Sequence, residues 1–244
     1  PGHSIAVLPF EDLSPKKEYR YLCDGIAETL INTLTCIKDL WVPARASSFS
    51  FEGKNPGIRE IGRQLGVDNL LEASVQVVGN RLRITPKIIH VNDGAQIWSG
   101  QYDRQMEDVF AIQDEIAREI VKALKIKLLG EKESPLAKRY TENREAYELY
   151  LQGRYLWNKR GKANLGKAAA FFEESVRKDP NYALGYAGLA DSFFVMGNNG
   201  FLSGAEALSK AKTAALKALE LDPYLAEALA CLGSLKTNWE WDFS

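Results

Sequence analysis

Apolar and polar positions along the first half of the chain change period several times, and each change predicts a different element. Ser4 to Phe10 is an almost wholly apolar run closed by Pro9 and the acidic Glu11-Asp12. A run that short and uniform fits a strand buried on both faces, in the middle of a sheet. Ile26, Leu30 and Leu34 then recur every four residues beside Ala27, Ile31 and Ile37, which predicts an amphipathic helix over 25–37 with Asp24 as its N-cap. A second strand is expected over 40–44. After a loop comes a short helix in which Ile58, Ile61 and Leu65 share a face and Gly66 supplies a left-handed stop.

A period of two takes over near residue 75. Val75-Gln76-Val77-Val78 and Arg81-Leu82-Arg83-Ile84 flank Gly79-Asn80, a two-residue loop with glycine first, as a type II′ turn requires. The loop fixes the register. Val78 faces Arg81, and counting back pairs Val77 with Leu82, Val75 with Ile84 and Leu71 with Ile88; Gln76 with Arg83 and Glu72 with Lys87 fall on the opposite, wet face. Asn92-Asp93-Gly94 predicts a second turn, into a strand near 95–103. With Val91 opposite Ala95, Trp98 and Tyr102 continue the core face, and Pro86, which lacks an N–H, falls opposite Gly100, where a bulge or break is expected. Residues 106–128 read as a long helix with the stripe Val109, Ile112, Ile116, Ile120, Leu124 and Leu128. Burying six such side chains contributes roughly 1.5–3 kcal/mol each before entropy is counted, enough to dock the helix on the sheet.

Beyond residue 130 the pattern changes again. Residues 130–144 shift to Gly, Ser, Pro and charge, and from 145 onward Ala- and Leu-rich helical stretches repeat. Asp179-Pro180-Asn181-Tyr182 and Asp222-Pro223-Tyr224 recur 43 residues apart, each between two such stretches. Gly153, Ala190 and Gly233 are the small residues expected where paired helices cross closely, and the surplus length is expected in loops around 160–164 and 197–203. The fold class that follows is α+β/α. An N-terminal two-layer α/β domain with a mixed sheet covers 1–130, a linker covers 131–144, and an all-α array of helical hairpins covers 145–244.

Six segments together carry a family resemblance: SIAVLPF (4–10), DGIAETL (24–30), REIGRQLGV (59–67), GNRLRIT (79–85), WSGQYDR (98–104) and DVFAIQDEIAREI (108–120). In that order the first half resembles the TolB amino-terminal-like domain. The second half resembles tetratricopeptide (TPR) repeats: Ala168, Phe172 and Pro180 fall at the second-helix positions of one unit, and Ala211, Ala218 and Pro223 at those of the next. The resemblance implies a bacterial signalling protein in which such domains stand behind a nucleotide cyclase, a Ser/Thr kinase or a winged-helix output domain. It implies that the catalytic or DNA-binding work is done by those other domains.

Charge narrows the partners. Residues 1–130 hold 16 Lys and Arg against 17 Asp and Glu, and 131–244 hold 15 against 15, so neither half has the basic field that nucleic acid or anionic lipid needs. Apolar residues make up 45% and charged residues 26%, a globular balance. No apolar run is long enough to span a membrane. Cys23, Cys36 and Cys231 are odd in number and lack metal-ligand spacing; they lean toward a reducing compartment, with the extracytoplasmic part of a membrane-anchored receptor as the alternative. Pro1-Gly2-His3-Ser4-Ile5 begins at the edge of a strand and reads as the start of a piece of something longer.

No phosphate loop, dinucleotide fingerprint, zinc-protease helix, nucleophile elbow or calcium loop is present. Gly53-Lys54-Asn55-Pro56-Gly57 lacks the spacing and the Ser or Thr of a phosphate loop. Asp24 and Glu28 are read as a helix cap and a solvated first-turn acid rather than a catalytic pair, and Arg81, Arg83 and Lys87 as a basic row on the wet face of the hairpin. No catalytic residue, cofactor site or metal site is expected. The candidate surface is the concave side of the repeats, where first helices present side chains to a protein or extended peptide. On the TPR pattern it holds Tyr147, Tyr150, Arg154, Trp157 and Asn158, then Asp191 and Phe194, then Ser234 and Asn238. The third unit has only its first helix, over 225–239, so its apolar face is expected either to drive self-association or to be covered by Trp241 and Phe243 folding back. A small ligand at the strand ends of the first domain is a further alternative.

Overall fold

The computed structural model describes residues 3–54, 56–124 and 140–240. They divide into two compact units, Pro1–Lys138 and Arg139–Ser244, the first α+β and the second all-helical.

In the first unit β1 (His3–Val7) lies between β3 (Leu40–Trp41) and β4 (Asn69–Val78) and runs parallel to both. β2 (Glu11–Asp12) is also parallel to β4, whereas β5 (Arg81–His90), β6 (Gln96–Ser99) and β7 (Tyr102–Gln105) are added antiparallel, so the sheet is mixed. The hairpin register is the one read from the sequence: Val78 faces Arg81, Val75 faces Ile84, Leu71 faces Ile88 and Glu72 faces Lys87. Of the two loop residues only Gly79 has a positive φ, 58°, which is the type II′ arrangement.

The next turn departs from its expected register. His90 N–H, not Val91 N–H, donates to Ala95 O at 2.8 Å, and Val91 N–H donates instead to Asp68 O at 2.8 Å. The pairing slips between Ile88, which faces Trp98, and Ile89, which faces Gln96, leaving Ile97 as the extra residue of a bulge. The ladder is broken opposite Pro86, where one strand stops at Ser99 and the next resumes at Tyr102 against Ile84; Gly100 N–H still donates to Pro86 O at 3.0 Å.

Helices cover the core face. α1 (Arg20–Thr35) and α4 (Val109–Ala123) pack on each other and on the strands, and α4 buries Val109, Ile112, Ile116 and Ile120 as a stripe, with Leu124 buried just beyond its end. α2 (Arg45–Phe49) follows β3 after Val42-Pro43-Ala44, and β3 is shorter than the strand expected over 40–44. α3 (Ile58–Leu65) ends at Gly66 with φ 66° and lies on the other face at one end of the sheet, where Ile61 and Val67 close over Ala6, Leu8, Leu70 and Val91. At the hairpin end that face is open.

α1 begins earlier than the periodicity implied, so Asp24 is not its cap. Tyr19 holds that position, and its N–H is taken by Asp12, 2.8 Å away on the preceding strand β2, a contact that helical periodicity cannot reveal. Leu128, residues 131–139 of the expected linker, Trp241, Phe243 and the side chain of Trp239 lie outside the described residues.

The second unit consists of α5 (Arg144–Lys159), α6 (Lys162–Lys178), α7 (Ala183–Asn198), α8 (Gly204–Leu221) and α9 (Ala226–Leu235), with a π-helical turn over Lys236–Glu240. Successive helices pack together, and α5, α7 and α9 are also neighbours. Asp179 and Asp222 end α6 and α8 with nearly the same backbone, φ −138° and ψ 95° against φ −143° and ψ 99°, the extended conformation that a following proline enforces. Tyr182 and Leu225 occupy equivalent N-cap positions and are both buried, whereas Tyr224 matches the exposed Asn181 and is 89% exposed. The surplus length went partly into helices of 16, 17, 16 and 18 residues and partly into the expected loop, over 199–203, between α7 and α8. Only Arg160 and Gly161 separate α5 from α6, so no long loop stands at 160–164.

The core shows why two of the glycines are there. The fully buried Phe172 ring fills the space that a Cβ would take at Gly153 on α5 and at Gly188 on α7, each 2.6 Å from Cε1. The residues 43 positions on are Met196, Ala215 and Cys231, a medium, a small and a medium side chain in place of small, large and small. Ala215, rather than Ala218, is thus the counterpart of Phe172; Ala218 matches Ser175, whose hydroxyl donates to Ala146 O at 2.7 Å. Gly233 has open space where its Cβ would be, so no close crossing needs it.

Candidate functional site

The face formed by α5, α7 and α9 gathers part of the expected surface and consigns the rest to the core. Tyr147 is buried, and Tyr150 packs its ring 5.7 Å from Phe172 and 5.3 Å, edge-on, from Tyr182. Phe194 lies partly buried on the same core. These three are structural first. Asn158 and Ser234 are half-buried, and Asn238 is exposed at the far end.

The polar centre of the face is Arg154, Trp157 and Asp191. Arg154 Nη1 is 3.9 Å from Asp191 Oδ2, and its guanidinium lies 4.9 Å from the centre of the Trp157 ring. Burial raises the Asp191 carboxyl to a pKa of about 6, against the pull of Arg154 and Arg160, and Glu227 on α9 adds to the rise. Asp191 therefore changes charge closer to neutrality than an ordinary aspartate.

Arg160 and Glu227 join this centre although periodicity did not select them. Arg160 follows the last residue of α5 with φ 57° and ψ −170°, a region glycine normally occupies, and strain of this kind costs about 1–3 kcal/mol. That conformation sets its guanidinium 3.6 Å from the centre of the Trp157 ring. Two arginines thus share one indole. An Arg-Gly pair directly after a long helix was the sequence signal available for it.

In the first unit Asp24 and Glu28 are neither a cap nor a solvated acid. Asp24 is 6% exposed and pairs with Arg20 at 3.0 Å and with Arg45 at 3.4 Å, while Arg45 also reaches Glu28 at 3.2 Å. Burial raises Asp24 to a pKa of about 6, Arg20 and Arg45 opposing. Arg20 is held further by Glu52 at 2.8 Å and by the Phe10 carbonyl at 2.9 Å. The basic row of the hairpin is paired but not fully neutralised: Arg81 and Arg83 share Asp103, donating at 2.8 and 2.6 Å, and Lys87 pairs with Glu72 at 2.9 Å.

No family model matches the chain. It is 39% identical over 187 residues to "Putative adenylate cyclase 3" of Rhizobium meliloti (strain 1021), covering 77% of this chain and 32% of that protein. It is 33% identical over 89 residues to the transcriptional regulator HilA of Salmonella typhimurium, covering 36% of this chain and 16% of HilA. The chain thus spans a third or less of the length of these relatives. Among solved structures it is similar to TolB from Acinetobacter baumannii, with a TM-score of 0.38 and 10% identity over 51% of this chain and 28% of that one.

Among the described residues no helix is long and apolar enough to cross a membrane, and no three His, Cys, Asp or Glu residues are grouped so as to hold a metal ion. Leu216 and Leu229, on α8 and α9, are 51% and 49% exposed.

Proposed function

We propose that this segment is a non-enzymatic interaction module of a bacterial signalling protein, a TolB amino-terminal-like domain followed by TPR-type repeats that take a protein or peptide on the face of α5, α7 and α9. The observation that carries this reading is the convergence of Arg154, Trp157, Arg160 and Asp191 from two first helices and a strained helix end. An aromatic ring clamped by two cations beside a half-buried carboxylate offers a partly desolvated anchor of the kind that dominates protein interfaces. A second reading, favoured by the two relatives' names, is that the module regulates a nucleotide cyclase or a transcription factor whose output domain lies outside these residues.

The test is a random octapeptide array screened with the purified chain, each hit measured by fluorescence anisotropy of the labelled peptide. A peptide that binds the chain and loses at least tenfold in affinity on Trp157→Ala supports the reading, about the loss of one hot-spot side chain. Binding that survives both Trp157→Ala and Asp191→Ala would move the site elsewhere. Turnover of ATP or GTP that scales with the protein and vanishes in a point variant would overturn the non-enzymatic reading.

A further inference from the structure

On the wet face of the first unit, where the cover of α3 ends, the sheet opens into a cleft of about 820 Å³, within the range of small-molecule sites. Its floor is the cross-strand pair Ser74 and Thr85, directly opposite each other on β4 and β5. Neither hydroxyl is hydrogen-bonded to another described residue. Leu8, Pro9, Phe51 and Ile58 supply an apolar wall.

The charges decide what fits. Three acids and three bases line the cleft, and four of these six groups are already matched, Glu72 with Lys87 at 2.9 Å and Arg20 with Glu52 at 2.8 Å. The remaining two, Glu11 and Lys54, are exposed and of opposite sign. A ligand with net charge would have to break an existing pair or settle for the exposed Glu11 or Lys54, whose attraction is screened by water and poorly repays the desolvation of its charge. Arg20 cannot swing to meet an anion without leaving Asp24, Glu52 and the Phe10 carbonyl together. An uncharged ring with hydroxyls on its rim and C–H groups on its face gains on every side. Its hydroxyls bond Ser74, Thr85 and the outer edges of the Glu72–Lys87 pair, and its face covers the apolar wall.

We propose that this cleft is a binding site for a neutral, hydroxyl-rich ring compound, a mono- or disaccharide. The test uses the whole chain, isotope-labelled, with amide signals followed as cellobiose, maltose, glucuronate and glucosamine are added in turn. The result expected is millimolar binding of a neutral sugar, with shifts centred on Ser74, Thr85 and Phe51, and at least threefold weaker binding of the two charged sugars. The double variant Ser74→Ala/Thr85→Val, checked for folding by circular dichroism, should lose about tenfold in affinity, the effect of two lost hydrogen bonds. Arg83→Ala, outside the cleft, should bind as the parent does. The proposal is overturned by no shift with either neutral sugar up to about 50 mM, an affinity worth under 2 kcal/mol. It is overturned equally by a charged sugar that binds as tightly as the neutral ones, or by a folded double variant that binds unchanged.

Discussion

Replacing Gly188 by alanine ought to help a helix. Alanine is favoured over glycine by about 1 kcal/mol in a helix interior, and Gly188 sits within α7. The packing reverses that expectation. The new Cβ would stand 2.6 Å from Cε1 and 2.8 Å from Cδ1 of Phe172, whereas carbon atoms rest at about 3.5–4.0 Å. The ring would have to retreat by about 1 Å, yet it is fully buried and its same edge already abuts Gly153. Overpacking of this kind costs about 1–3 kcal/mol, so Gly188→Ala and Gly153→Ala should each be destabilising after the helix gain is subtracted. Phe172→Ala alone should cost about 3–5 kcal/mol through its cavity. The triple variant Gly153→Ala/Gly188→Ala/Phe172→Ala is the sharper test. Its two methyl groups partly fill the cavity and both helices gain, so it should be more stable than Phe172→Ala by about 1–2 kcal/mol. Urea unfolding followed by helical circular dichroism, with hydrogen exchange in α5 to α7 to localise the effect, measures all four. A Gly188→Ala chain as stable as the parent, or a triple variant losing the sum of its parts, would refute the reasoning.

Three further outcomes are expected. Ile84→Ala, which opens a cavity opposite Val75 in the fully buried face of the hairpin, should cost about 2–5 kcal/mol, while Arg83→Ala, which loses only an exposed pair with Asp103, should cost under about 1 kcal/mol; equal losses in urea titrations would place the register off by one. Because Asp24 is raised to about 6 in the folded state from an ordinary 3.8, the folded chain holds that proton more tightly, and the stability this contributes is complete below about pH 4 and lost as pH rises through 6. Asp24→Asn should therefore cost more at pH 4.5 than at pH 7.5; a pH-independent cost would show that the ion pairs with Arg20 and Arg45 cancel burial, and a larger cost at pH 7.5 that they outweigh it. Self-association through the exposed leucines of α8 and α9 should raise the mass measured by light scattering with concentration and be abolished by Leu229→Glu; a monomer mass at all concentrations in the parent would dismiss it.

What the sequence determined by itself was everything carried by local period and turn chemistry. The α4 stripe, the Gly66 stop and the hairpin register needed only spacing, because a two-residue turn admits one pairing and a one-residue slip would invert the faces of both strands. The repeat at Asp179-Pro180 and Asp222-Pro223 was legible for a like reason, since proline restricts the residue before it wherever it occurs. Tertiary structure decided the rest. Asp24 looked like a cap because its neighbours are helical, but Asp12, on the strand before the helix, takes the Tyr19 N–H and lets the helix start earlier, carrying Asp24 into the interior toward Arg20 and Arg45. The expected pairing of Val91 with Ala95 failed because Val91 found Asp68 on the neighbouring segment. In the helical unit periodicity put Tyr147 and Tyr150 on the partner-facing side, and only the packed core, where Phe172 occupies the room left by two glycines, settled that they point inward. Arg160 was hidden for the opposite reason: it belongs to no period, and its place on Trp157 follows from a single backbone angle at a helix end.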